Sequence, residues 1–292
     1  MIQFNFNTIA ELIEAAETQR LPMHEIVLAR EMHAAQRTRE DILSEMQYNW
    51  QVMQESIARG IKNTEKSVSG MTGGDAKKLY AYREKGYLGE SALAAAAYAV
   101  GISEVNAVMG RIVACPTAGS CGIVPAALYA AKKQRGFADE DIVKALLTAA
   151  GIGMVVDQNA SIAGASGGCQ AECGTAAGMA AGALVELAGG TPARIGDAVA
   201  LAIKNLLGLV CDPVAGLVEV PCVKRNGFAT VTALTAADMS LAGVKSVIPV
   251  DEVITAMNEI GHALPKSLRE TSEAGLAVTP TAKKIEKRVY PD

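Results

Sequence analysis

The 292-residue sequence has no strong excess of either charge: 27 lysines and arginines stand against 31 acidic residues, a net charge of −4. This balance excludes the basic stripe of a nucleic-acid binder and the polybasic surface of a membrane-associated protein. The chain opens MIQFNFNTIAELIEAAE, without a basic segment followed by an apolar stretch, so no secretory signal is expected. A membrane span is missing too. The longest uncharged run, residues 112–131, holds Thr117, Ser120, Pro116, Pro125 and several glycines, which a lipid-exposed helix tolerates poorly. A cytoplasmic location is the expectation. Internal repeats and low-complexity tails are absent, and histidine occurs only at positions 24, 33 and 262.

Half the residues are apolar, enough to bury a large core without disulfides. Six cysteines in a chain with no export signal are not expected to be cross-linked. They are either small buried hydrophobes or ligands and reactive thiols. No C-x-x-C pair occurs, and the spacing fits neither a zinc ribbon nor a ferredoxin run.

Hairpin-forming pairs of β-branched strands are largely lacking. Leu217–Val223 alone reads as a strand, weakened by Pro221. The expected fold is all-α: a large bundle of small-residue-rich, buried helices whose glycine-rich polar loops form the functional site. In residues 1–65, Thr8 is placed to cap one helix, Pro22 to open a second, and Thr38 with Asp41 resembles a capping box. Ile42, Met46, Trp50, Met53 and Ile57 then fall on one helical face, read as surface left for a partner. Residues 62–74 (KNTEKSVSGMTGG) break the pattern and divide this helical segment from residues 66–292, the expected catalytic domain. Beyond Leu79 the helices are rich in Ala, Gly and Met, as befits burial nearly all round.

Between them lie polar, glycine-rich loops at 114–122, 159–168 and 211–216. Such loops inside an apolar region leave backbone groups unpaired unless they converge on a ligand. Cys169 follows Ser-Gly-Gly at the start of a helix, where the dipole favours a thiolate. Cys211 opens a Cys-Asp-Pro turn, and Cys222 precedes Lys224 and Arg225. Soft thiolates at such fixed positions suit zinc or an iron–sulfur cluster. Cys173, one turn after Cys169, reads as core, and the roles of Cys115 and Cys121 stay open.

The segments Ser161–Glu172, Gly208–Asn226 and Pro116–Gly119 closely resemble the alpha subunit of iron–sulfur L-serine dehydratases. So do Glu104–Ala107, Thr72–Asp75, Arg269–Thr271 and Gly275–Pro280. The resemblance implies an all-helical alpha domain and a [4Fe–4S] cluster with one open iron site. Its ligands would be Cys169, Cys211 and Cys222. A beta subunit, fused or separate, would complete the enzyme. Single-chain relatives carry a cysteine at the extreme C-terminus; this sequence ends Lys-Arg-Val-Tyr-Pro-Asp292, as in the two-subunit branch. Cys115, Cys121 and Cys173 depart from the family pattern, which leaves a fourth thiolate ligand open.

The implied reaction is elimination of water from L-serine, followed by hydrolysis of aminoacrylate to pyruvate and ammonia. Hydroxide leaves poorly and the α-proton is weakly acidic, so a Lewis acid and a base are both required. The catalytic base is not legible: His24 and His33 read as solvated, and His262 as a histidine near a helix end. Asn106, Thr117, Asn159 and Ser161 are the expected substrate hydrogen-bonding groups, with Arg269 as a carboxylate clamp. Threonine or cysteine as substrate, or a zinc enzyme on the same cysteines, are the competing readings. A pyridoxal-phosphate enzyme is disfavoured by the missing strand–helix alternation.

Overall fold

The computed structural model describes residues 4–291. In chain order its helices are α1 (Ile9–Gln19), α2 (Met23–Ala35), α3 (Arg39–Gly60), α4 (Asp75–Tyr82), α5 (Gly89–Ala107), α6 (Ile123–Arg135), α7 (Asp139–Asn159), α8 (Gly164–Gly167), α9 (Thr175–Leu187), α10 (Pro192–Leu206), α11 (Cys222–Leu241), α12 (Val250–Ala263) and α13 (Pro280–Val289). Among the described residues there is no β-strand, only one isolated bridge between Cys211 and Arg269. The fold is all-α, and no helix is long and apolar enough to cross a membrane.

Local chemistry sets the helix starts. Thr8 accepts the Glu11 N–H, and Thr38 with Asp41 forms a reciprocal capping box. Pro22 lies one residue outside α2, at its N-cap. Leu217–Val223 is not a strand. It is turn followed by the first turn of α11, with Pro221 at the N-cap of that helix. The apolar residues there had suggested a sheet, but β-propensity mostly reports a half-buried pleated surface, and none exists here for them to join.

Small residues decide the packing. Helix α9 is buried from Thr175 to Val185 and packs against α6, α7, α10 and α11. A Cβ on Gly182 would approach Ile152 to 2.4 Å, so glycine is what admits the neighbouring helix. Where α3 crosses α5, a Cβ on Gly60 would lie 2.4 Å from the Gly101 carbonyl carbon. The stripe on α3 does not remain free for a partner. Trp50, Met53 and Ile57 are buried inside this chain, and Trp50 Nε1 donates to Asp139 Oδ1 at 2.5 Å. Trp50 and Phe6 belong to the same core as α9.

Two quoted motifs meet at one helix end. The buried Glu104 carboxylate on α5 accepts the N–H groups of Gly74, Asp75 and Ala76, which open α4. Unpaired donors and the helix dipole are both satisfied there by one anion.

Candidate active site

Three separate segments deliver thiols to one buried region. Cys169 follows Gly168, whose φ of +77° suits glycine. A Cβ at Gly168 would also lie 2.7 Å from Leu264 Cδ1 and 2.9 Å from the Leu209 carbonyl oxygen. Cys169 leads into a π-helical turn, Gln170–Gly174, a distortion that often accompanies functional sites. Gln170 ties this turn to the next segment, its N–H donating to the Leu209 carbonyl and its Oε1 accepting from Gly208 N, each at 2.9 Å. Cys211 is held from the other side. Its N–H donates to the Leu268 carbonyl at 2.9 Å, and its carbonyl accepts from the Glu270 N–H at 2.7 Å. Cys222 begins α11. Exposure is only 2, 2 and 7 % for Cys169, Cys211 and Cys222, so all three are interior groups.

The thiols feel one another. Burial pushes Cys211 up, and the neighbouring Cys169 and Cys222 push it further. Cys222 is pushed up to about 12, by burial and then by Cys169. Cys169 is lowered, chiefly by its hydrogen-bond contact with Cys173, whose Sγ lies 3.4 Å away, with help from Arg225. The same contact raises Cys173 well above the ordinary thiol value, and burial raises it further. The Arg225 guanidinium stands beside Cys169 and Cys222, donating to the Val210 carbonyl at 2.7 Å and to Asp212 Oδ1 at 3.2 Å. Cys115 and Cys121 are buried apart, raised by desolvation, Cys121 to about 12.

Carboxylates face the thiols. Glu172 Oε1 accepts from Thr117 Oγ1 at 2.7 Å. A Cβ built on Gly164 would lie 3.0 Å from Glu172 Oε2, 3.1 Å from Cys211 Sγ and 3.3 Å from Glu270 Oε2. Glycine at 164 thus leaves a small space that two carboxylates and a thiol share. Burial raises Glu172, and the Glu270 charge raises it further. Glu270 itself sits at a φ of +64°, a left-handed conformation costly for a side-chain-bearing residue. Asn226 braces the surround: Oδ1 accepts from Gly122 N at 3.0 Å, and Nδ2 donates to the carbonyls of Gly119 at 2.7 Å and Cys222 at 3.0 Å. The loop carrying Thr117 is so fastened to the helix carrying Cys222.

The residues expected to bind substrate fare differently. Thr117 lies against Glu172, and Arg269 lies beside Cys211 through the backbone bridge. Arg269 Nη1 reaches the Ser166 carbonyl at 3.3 Å, while its buried Nε has no partner. Asn106 makes one long contact, 3.4 Å to the Ala118 carbonyl. Asn159 uses its amide on the carbonyls of Asn7 and Val155, and Ser161 Oγ accepts from Ala163 N. His24 is not solvated: it is 12 % exposed, and its Nδ1 lies 2.8 Å from Glu186 Oε1. His33 stacks on Phe4, and exposed His262 holds the Asn258 carbonyl.

Among the described residues no three His, Cys, Asp or Glu side chains converge to hold a single metal ion.

The serine dehydratase alpha chain family matches residues 18–277. The chain belongs to that family. The probable L-serine dehydratase alpha chain of Bacillus subtilis (strain 168) is 50 % identical over 98 % of this chain and 95 % of its own length. The L-serine dehydratase alpha chain of Peptoniphilus asaccharolyticus is 43 % identical over 96 % of each. An L-serine dehydratase of Streptomyces coelicolor is 38 % identical over 95 % of this chain but only 62 % of its own length. Within this alpha-chain frame, the carboxylates Glu172 and Glu270 are what the sequence reading passed over. Both stood inside quoted motifs, three residues after Cys169 and one after Arg269. Nothing in the spacing told that they would meet.

Proposed function

We propose that this chain is the catalytic alpha subunit of a cytoplasmic L-serine dehydratase, forming pyruvate and ammonia from L-serine. The observation that carries this reading is the gathering of Cys169, Cys211 and Cys222 from three segments into one buried region beside Arg225 and two carboxylates. Cys169, Cys211 and Cys222 suit a [4Fe–4S] cluster with one open iron site, because soft donors select it and a nearby guanidinium offsets their charge. When bound, the cluster supplies Lewis-acid activation of the serine β-hydroxyl.

The chain's own groups do the rest. Arg269, with its unpartnered Nε, is placed to take the substrate carboxylate. Thr117 and Asn106 offer further hydrogen bonds at the rim. Ala118, Ala165, Ser166 and Glu270 leave that rim exposed, so excluding water from the reaction needs another chain. A separate beta subunit fits this need, as does the extra length of the single-chain Streptomyces relative.

The test is anaerobic reconstitution with iron and sulfide, alone and with a beta chain, reading visible absorbance and pyruvate release from L-serine. The brown chromophore should appear in the parent, persist in Cys115→Ala and Cys121→Ala, and collapse in Cys169→Ala, Cys211→Ala and Cys222→Ala. A colourless parent, or one whose colour survives all three ligand substitutions, overturns the reading.

A further inference from the structure

The proposed function uses three of the six thiols. Of the others, Cys173 stands inside the site, its Sγ 3.4 Å from Cys169 Sγ. That is the one sulfur–sulfur hydrogen-bond contact among the described residues, since Cys115 Sγ turns to the carbonyls of Val113 and Cys121. The backbone between the two residues explains their closeness. Cys169 caps the π-helical turn Gln170–Gly174, and Cys173 is its fourth residue. Hydrogen bonds in such a turn run from i to i+5, so one turn takes more than four residues. Residues four apart then stand nearly in line along the axis, whereas in an α-helix they are offset by about 40°. Gln170 pins the turn to Leu209, Gly208 and Met257, each bond at 2.9 Å, so the fold itself sets the spacing of the thiols. A disulfide needs Cα atoms roughly 4.4–6.8 Å apart and sulfurs at about 2.05 Å. Residues one turn apart meet the first condition, and rotation about the two Cα–Cβ bonds closes the sulfurs. The approach is short for a small solute. Ala165 and Ser166 are exposed beside Gly164, whose space Glu172 and Cys211 Sγ border.

We propose that Cys169 and Cys173 form a redox pair, in which Cys173 captures Cys169 as a disulfide when hydrogen peroxide oxidises the cluster-free chain. The proposal rests on the serine dehydratase reading only in giving Cys169 a second task as a cluster ligand. In the first step the Cys169 sulfur attacks one peroxide oxygen and the O–O bond breaks. The Cys169 proton leaves with the departing hydroxide as water, and a sulfenic acid remains. The Cys173 sulfur then attacks the Cys169 sulfur and the S–O bond breaks. Hydroxide leaves with the Cys173 proton as a second water, and the S–S bond is formed. Each sulfur loses one electron, and the two peroxide oxygens take up the pair. The disulfide holds Cys169 in a form that a dithiol reductant reverses. Without Cys173 the sulfenic acid goes on to sulfinic and sulfonic acids, which such a reductant does not reverse.

The experiment takes the full cluster-free chain, reduced and desalted without air, and treats it with excess hydrogen peroxide until the reaction is complete. Free thiols are counted, intact mass is measured, and the chain is cut by a glutamyl endopeptidase. Cleavage after Glu172 separates Cys169 from Cys173, so their peptides stay joined only through a disulfide. The parent should lose two of its six thiols and the mass of two hydrogens, with those two peptides linked. Dithiothreitol should restore both thiols, and iron and sulfide should then restore the brown absorbance. In Cys173→Ala the Cys169 peptide should instead gain two or three oxygens, and dithiothreitol should recover neither thiol nor absorbance. A parent that keeps all six thiols overturns the pair, as does a disulfide joining Cys169 to Cys211 or Cys222. So does a Cys173→Ala chain that dithiothreitol restores as fully as the parent. A Cys173→Ala chain that keeps its helical circular dichroism but never takes up a cluster makes Cys173 a ligand, which also overturns the pair. A reduced parent that takes up no cluster removes the reading beneath, while the peptide map still decides the disulfide.

Discussion

Asn226 is the residue through which fold and site are most directly joined, and Asn226→Ala has a calculable cost. The side chain is fully buried and makes three hydrogen bonds, to Gly122 N, the Gly119 carbonyl and the Cys222 carbonyl. Removal leaves the buried Gly122 N–H without an acceptor, at about 1–3 kcal/mol. The Cys222 carbonyl keeps its place in the helix and the Gly119 carbonyl is only half-buried, so these two together add about 1 kcal/mol. The expected loss is about 2–4 kcal/mol, which for a chain of this size lowers the melting temperature by roughly 3–7 °C. Urea denaturation of the cluster-free chain, followed by circular dichroism, measures it directly. Asn226→Asp sharpens the test: the acceptor for Gly122 survives, but a carboxylate now faces two carbonyl oxygens. That variant should be at least as unstable at neutral pH and recover as the pH is lowered and the new carboxyl gains a proton. An Asn226→Ala chain within about 0.5 kcal/mol of the parent, the range of an ordinary surface substitution, would refute the reasoning.

Gly168→Ala meets Leu264 and the Leu209 carbonyl and strains a left-handed residue, so it should destabilise by about 2–4 kcal/mol and impair cluster assembly; denaturation and visible absorbance report both. Arg225→Met leaves the buried Asp212 without its cation and with only the Leu276 N–H as donor, at an expected cost of about 2–4 kcal/mol in the same denaturation assay. Asp75 is held down to about 2, chiefly by Lys224, then by Lys78. A lowered carboxyl stabilises the fold above its ordinary value of 3.8 and loses that contribution as pH falls toward 2. Because the group is a third exposed, Lys224→Ala should cost no more than about 1 kcal/mol at pH 7 and nothing below pH 2, as read from the pH dependence of unfolding. Cys173→Ala removes the hydrogen bond to Cys169, and the Cys169 thiol should then react more slowly with an alkylating reagent in the cluster-free chain.

The helices were legible because their signals are local. Thr8, Thr38 and Asp41 cap where their side chains can reach, and the Ala/Gly runs from α5 onward have no polar face to offer solvent. The unusual segments that hold Cys169, Cys211 and Cys222 were legible as well, since glycines or prolines flank each of them. What the chain order could not convey is which distant groups share a space. Glu172 and Glu270 are 98 positions apart in the numbering, yet their oxygens border the same glycine. His24 looked solvated in a charged helix until Glu186, far along the chain, came to face it. The stripe on α3 looked like a partner surface because amphipathic periodicity says only that a face is buried, not against what. Local sequence determined where helices begin and which loops are unusual. Tertiary packing alone decided which carboxylate stands beside the thiols, because that depends on where a missing Cβ lets two segments meet.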